Sequence, residues 1–140
     1  MNKTLMALMT KLRWQLKETG QQLELIAEQD AELQTKLKNT KDAVYRACET
    51  PAILYPEHEI ARLNFIIQSQ QQHENLSNEQ KILSTRRDQL LSHQLRINTE
   101  LKMLEKYKDK QQKNAVQEAI NMQQQASDEW ILQRREEHEN

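Results

Sequence analysis

Glycine and proline are almost missing from this chain: its 140 residues include one glycine, Gly20, and two prolines, Pro51 and Pro56. Both prolines fall in the stretch from Glu49 to His58, so helix breakers gather in one place only, which predicts two very long helices joined by one elbow. Proline lacks an amide donor and clashes with the preceding turn, so Thr50-Pro51 is expected to stop the first helix. Pro56, followed by Glu57 and Glu59, is suited to open the second. Cysteine is equally scarce. Cys48 is the only one, which excludes an intramolecular disulfide and fits a reduced cytosol. Aromatic residues make up 4 % and hydrophobic residues 36 % of the chain, enough length for one domain but too little material for a wide globular core; a thin seam is the alternative. No charge of one sign dominates. The formal charge of −1 argues against a nucleic-acid partner held by phosphate electrostatics and leaves protein partners as the default. The apolar run Leu5 to Met9 meets Lys11 and Arg13 at once and is too short for a signal-peptide core or a membrane span, so no direct membrane insertion is expected.

What is present favours helix: the chain is rich in Gln, Glu, Lys, Leu and Ala. The first helix is expected at about 2–48, the elbow at 49–56 and the second helix at about 57–138, in one coiled-coil domain spanning 1–140. In the first, Leu5, Met9, Leu12, Leu16, Thr19, Leu23, Ile26, Asp30, Leu33, Leu37, Thr40, Val44 and Ala47 keep the alternating three-four spacing of a coiled-coil seam. Thr19, Asp30 and Thr40 are its polar entries. Asp30 reads as a partly solvated carboxylate that fixes register at some loss of stability. Gly20 beside the seam weakens the helix by roughly 1 kcal/mol relative to alanine and suggests a local kink or flexible spot.

The second helix keeps a seven-residue beat through Leu76, Leu83, Leu90, Ile97 and Leu104, with mixed complementary positions at His73, Gln80, Arg87, Gln94 and Leu101. Upstream, Ile60, Leu63 and Ile67 follow a different phase, which predicts a stutter or helix break near 69–75; Gln70 to Gln72 read as solvated surface. Folding the second helix back on the first gives an all-α antiparallel coiled-coil hairpin with Ala47 near Ile60 and Leu5 near Leu101 or Lys102. At 1.5 Å rise per residue the helices measure roughly 70 and 120 Å, so about 35 residues after Leu104 overhang without a partner in the chain. In this tail Lys108 and Gln111 occupy would-be seam positions, and apolar residues are scattered. The tail is expected to fray alone and to order against another protein.

Trp14 falls opposite the seam, and surface tryptophans and arginines are common interface anchors. Arg13, Trp14, Trp130, Arg134 and Arg135 are therefore assigned to a docking tip at the terminal end of the rod. Chemistry is not indicated. There is no glycine-rich phosphate loop, paired-cysteine motif or HExxH pattern, so no catalytic, cofactor or metal site is expected. His58, His73 and His93 are spread along a rod and cannot converge on one ion within the chain. Cys48 reads as a small helix-end residue.

The segment Leu104 to Lys113 (Leu-Glu-Lys-Tyr-Lys-Asp-Lys-Gln-Gln-Lys), continuing to Ser127 to Arg135 (Ser-Asp-Glu-Trp-Ile-Leu-Gln-Arg-Arg), resembles the C-terminal pattern of the FliJ family of flagellar type III export components. The leucines running from Leu5 into the basic turn at Arg13, the length and the two-helix layout are also similar. The resemblance implies a non-enzymatic stalk that docks in the ring of the flagellar export ATPase through the end made of both termini, and promotes the ring's assembly and activity. It further implies contacts with the export-gate membrane protein and with export chaperones near the elbow, where Tyr45 and Phe65 loosely match aromatic positions of the family. Such a protein is cytoplasmic, held peripherally at the inner membrane through the export apparatus. Two rivals follow: the equivalent stalk of a virulence-type secretion system, and a self-associating structural coiled coil whose overhanging helix pairs with its counterpart. Lysine and glutamine in the tail's seam positions count against the second rival.

Overall fold

The computed structural model describes residues 2–49 and 53–139, and within them the chain is all-α. Helix α1 runs Asn2–Ala47 and helix α2 runs Pro56–Glu139. Thr50, Pro51 and Ala52 lie outside the described residues, and with them the expected stop at Thr50-Pro51. The last turn of α1 tightens before it ends: the Cys48 amide donates to the carbonyls of Val44 (3.0 Å) and Tyr45 (3.2 Å), and the Glu49 amide to that of Arg46 (3.2 Å). Pro56 opens α2 as expected, since its missing N–H is one the first turn leaves unbonded anyway. The Glu59 amide then closes the first α-helical bond onto the Tyr55 carbonyl at 3.0 Å, and Glu57 and Glu59 place negative charge at the positive end of the helix dipole.

Arg62 ties the two helices together at this bend. Its Nη1 donates to the carbonyls of Ala47 (3.4 Å) and Glu49 (3.2 Å), and its Nη2 to Glu59 Oε2 (2.6 Å). A guanidinium at the carbonyl end of α1 satisfies orphaned acceptors and complements the negative end of that helix.

The contacts group into two compact units, Trp14–Arg96 and the remainder, Met1–Arg13 with Ile97–Asn140. A two-helix seam has no common centre, because each level touches only the levels beside it.

In the Trp14–Arg96 unit the helices run antiparallel on either side of the bend, with Ile26 and Leu33 of α1 and Leu76 of α2 buried between them. Each such side chain contributes about 1.5–3 kcal/mol when fully buried. From Leu16 to Ala47, every expected α1 seam residue is buried or half-buried. Thr19 and Thr40 are buried with their hydroxyls satisfied locally, each donating to the carbonyl four residues back, Gln15 and Lys36, at 2.8 Å. No break occurs at Gly20, which sits inside the continuous helix with no positive φ.

The α2 side of this unit corrects two expectations. The helix is continuous through 69–75, and the phase of Leu76 extends back without a stutter through His73, Ser69, Ile66 and Arg62, all buried or half-buried. Ile60, Leu63 and Ile67 consequently stand outside the seam, exposed. The physical reason lies at the bend: Arg62 reaches the end of α1 only if its own face of α2 is turned inward, and that rotation carries Ile60 and Ile67 to the far side.

In the other unit the first turns of α1 pack antiparallel on the stretch of α2 that follows Ile97. Met9 (1 % exposed) and Ile97 (2 %) are the most completely buried large side chains among the described residues, with Leu12 and Leu101 beside them in the core. Asn2 and Lys3 share a groove with Lys108, Gln111, Gln112 and Ala115, so Leu5 sits further along α2 than the expected Leu101 or Lys102. Pairing accordingly lasts longer than expected. Among the described residues the last half-buried one is Gln111, not Leu104, and every residue from Gln112 to His138 is exposed although helical. That overhang measures about 40 Å at 1.5 Å per residue.

Candidate functional site

No group of three or more His, Cys, Asp or Glu that could hold a metal ion occurs among the described residues, and Cys48 is exposed. Grooves run along the helix pairs. One of 290 Å³, lined in part by Leu23, Ile26, Leu83 and Leu91, lies where the seam position Arg87 swings out to Ser84 Oγ (3.2 Å) and Asp88 (3.5 Å). Among the described residues no helix is long and apolar enough to cross a membrane. Exposed apolar and aromatic side chains are prominent at two places.

The overhang is the first. An isolated helix of this length has marginal stability in water, and its apolar residues are exposed. Trp130 is exposed, and the Arg134 guanidinium lies over its ring at 4.8 Å from the centroid. The i, i+4 spacing puts both on one helix face, and the stacking holds a large flat anchor in place beside a cation. Arg135, next to them, is exposed.

The five residues assigned to a docking tip do not form one cluster. Arg13 reaches Glu105 Oε1 at 3.8 Å, both side chains being half exposed, a screened pair contributing at most about 1 kcal/mol. Glu105 precedes Trp130 by about 37 Å of helix at 1.5 Å per residue, so Arg13 and the Trp130–Arg134 pair occupy different levels of one unit. Trp14 opens the other unit, 63 % exposed and on the face opposite the seam. The structure thus brings together Trp130 and Arg134, with Arg135 adjacent in the helix.

The elbow is the second place. Tyr45 is 76 % exposed and Phe65 46 %. The register set by Ala47 against Arg62 and by Asp30 against Gln80 puts these two aromatics at the same level of the pair. The apolar character of this end is greater than Tyr45 and Phe65 alone suggested. Ile53, Leu54 and Tyr55 before α2, and Ile60, Leu63 and Ile67 on it, are all more than half exposed, and Tyr55 packs against His58 with ring centroids 5.3 Å apart. Their roles as surface residues were legible in one signal: carrying the Leu76 phase backwards in steps of three and four reaches Ile66 and Arg62, not Ile67 and Leu63.

No family model matches the chain, and no curated protein or solved structure matches it significantly.

Proposed function

We propose that this chain is a non-enzymatic stalk component of the flagellar type III protein export apparatus, which docks in the ring of the export ATPase, favours the ring's assembly and activity, and links it to the export gate and to export chaperones. The observation that carries this reading is the overhang: a helix exposed from Gln112 to His138, ending in a pre-stacked Trp130–Arg134 pair. It occupies the segment whose sequence resembles the FliJ pattern. A helix of this kind is completed by a partner that encloses it, as a ring lumen does. The elbow, with Tyr45, Phe65 and the apolar residues around them, suits the gate and chaperone contacts. The virulence-system stalk shares the same geometry and is separated from the flagellar one by which ATPase responds.

In mechanism the stalk would act by differential binding. Engaging the assembled ring more tightly than the free ATPase shifts the assembly equilibrium, and contact with one nucleotide-site conformation over another biases turnover. Hydrolysis belongs to the ATPase. Arg13, half engaged with Glu105, and Trp14 would add contacts of their own, while Trp130, Arg134 and Arg135 would form the principal anchor.

The test is ATP hydrolysis by the purified flagellar export ATPase of the same organism, with and without this protein, while light scattering follows ring assembly. Stimulation accompanied by more ring is expected, and Trp130→Ala should weaken it at least tenfold in the concentration required while leaving circular dichroism unchanged, because Trp130 packs on no part of either helix pair. An absence of both binding and stimulation with the intact protein would sink the proposal.

A further inference from the structure

The overhang carries a seam of its own. Beyond Gln111, where intramolecular pairing ends, three-four spacing resumes from Lys113, out of step with Leu104, Lys108 and Gln111. It proceeds through Val116, Ile120, Gln123, Ser127 and Trp130 to Arg134 and Glu137, all exposed. Steps of three and four sustained over these turns put all eight positions on one face, the geometry of a helix made to pack on another helix. Ile131 flanks this stripe, whereas Met122 and Leu132 lie off it.

We propose that the occupant of this face is the same segment of a second copy of the chain, running antiparallel. Antiparallel coiled coils form layers in which each seam position of one kind faces one of the other kind, and the layers here are complementary one by one. Ile120 meets Trp130, an apolar layer. Gln123 meets Ser127, amide against hydroxyl. Val116 meets the aliphatic stem of Arg134, whose guanidinium is already stacked on Trp130. Lys113 meets Glu137, cation against anion. A parallel pairing would instead set Lys113, Arg134 and Glu137 each against its own like charge, which disfavours that orientation.

The eight positions from Lys113 to Glu137 are symmetric about Gln125. A two-fold axis at Gln125 therefore sets all eight positions into the layers given above, Lys113 with Glu137 at either end. Such an interface is isologous and closes at two copies, so it makes a dimer and not a filament. The pairing does not depend on the stalk reading; it would cover Trp130 and Arg134, the anchors assigned above to the ring, so that a docked chain and a self-paired chain exclude each other.

Sedimentation equilibrium of the full chain at rising concentration tests it. The mass should climb from 16.7 kDa towards twice that value. Glu137→Lys places lysine against lysine in two symmetry-related layers and should raise the dissociation constant at least tenfold. Adding Lys113→Glu to that variant reverses both members of each pair and should restore it. These positions touch neither helix pair, so the variants keep the fold, and no ATPase is involved. A monomer at every concentration, a dimer indifferent to Glu137→Lys, or a dimer weakened by it and not rescued by Lys113→Glu would each overturn the antiparallel arrangement.

Discussion

The seam around Met9 and Ile97 and the seam around Asp30 and Gln80 are built on the same spacing and to opposite ends. In the first, Met9, Leu12, Ile97 and Leu101 are buried apolar side chains with no polar group among the buried set. In the second, Asp30 accepts from Gln34 Nε2 (3.2 Å) through one carboxylate oxygen and from Gln80 Nε2 (3.4 Å) through the other. The same unit also buries Thr19, Thr40 and Ser69, and turns Arg87 out of the seam. Dry layers give stability without caring which neighbour they meet, because apolar contact is non-directional. A carboxylate facing an amide gives little stability but specifies one partner, since sliding the helices by a turn leaves both groups to apolar neighbours. One stretch holds the helices together; the other decides where along each other they lie.

Three variants break or sharpen that contrast, in descending size. Ile97→Ala removes most of a buried side chain from the dry stretch and should cost about 2–4 kcal/mol, a fall in melting temperature of about 5–15 °C followed by circular dichroism at 222 nm. A change below about 1 kcal/mol would mean that the dry layers do not dominate stability. Asp30→Leu together with Gln80→Leu replaces the polar layer by an apolar one, and should raise stability by about 1–3 kcal/mol. The same double variant should blur the register, seen as doubled amide resonances for the residues around it; a single sharp set would show that register is fixed elsewhere. Gly20→Ala should stabilise α1 by about 1 kcal/mol. Apart from its two chain neighbours and the nearby helical backbone, no heavy atom lies within 4 Å of the added methyl group, so loss of stability there would point to a bend that α1 needs.

Much of this was legible in the residues, and what was not has identifiable causes. The α1 seam from Leu5 to Ala47 is the one its spacing indicates, Asp30 included, because leucine and isoleucine recur there with little competition from neighbouring positions. Near the start of α2 two phases compete. The more apolar of them, Ile60, Leu63 and Ile67, loses to Arg62, Ile66 and Ser69 because backbone carbonyls at the end of α1 recruit the guanidinium, a demand that hydrophobic periodicity does not register. The second seam of the overhang escaped for a related reason: followed in the phase of Leu104, its apolar residues look scattered, and only the end of pairing at Gln111 shows where a new phase is allowed to start. Among the candidate site residues, the chemistry of Trp130 and Arg134 was readable from type and spacing. That Arg13 faces Glu105, well short of them, required the fold.

Arg62 has a bearing on how the molecule comes to be folded as well as on how it stays so. Its bonds to Ala47 and Glu49 span 15 and 13 residues, against 50 for Asp30 with Gln80. Closing the longer loop from an open chain costs about 1 kcal/mol more in entropy than closing the shorter. Once the bend has formed, each further level adds only a turn to an existing pair and bears little of that cost. Assembly of the Trp14–Arg96 unit should therefore start at the bend and run outward like a fastener, reaching the Asp30–Gln80 layer after the helices are already aligned by the arginine that joins them.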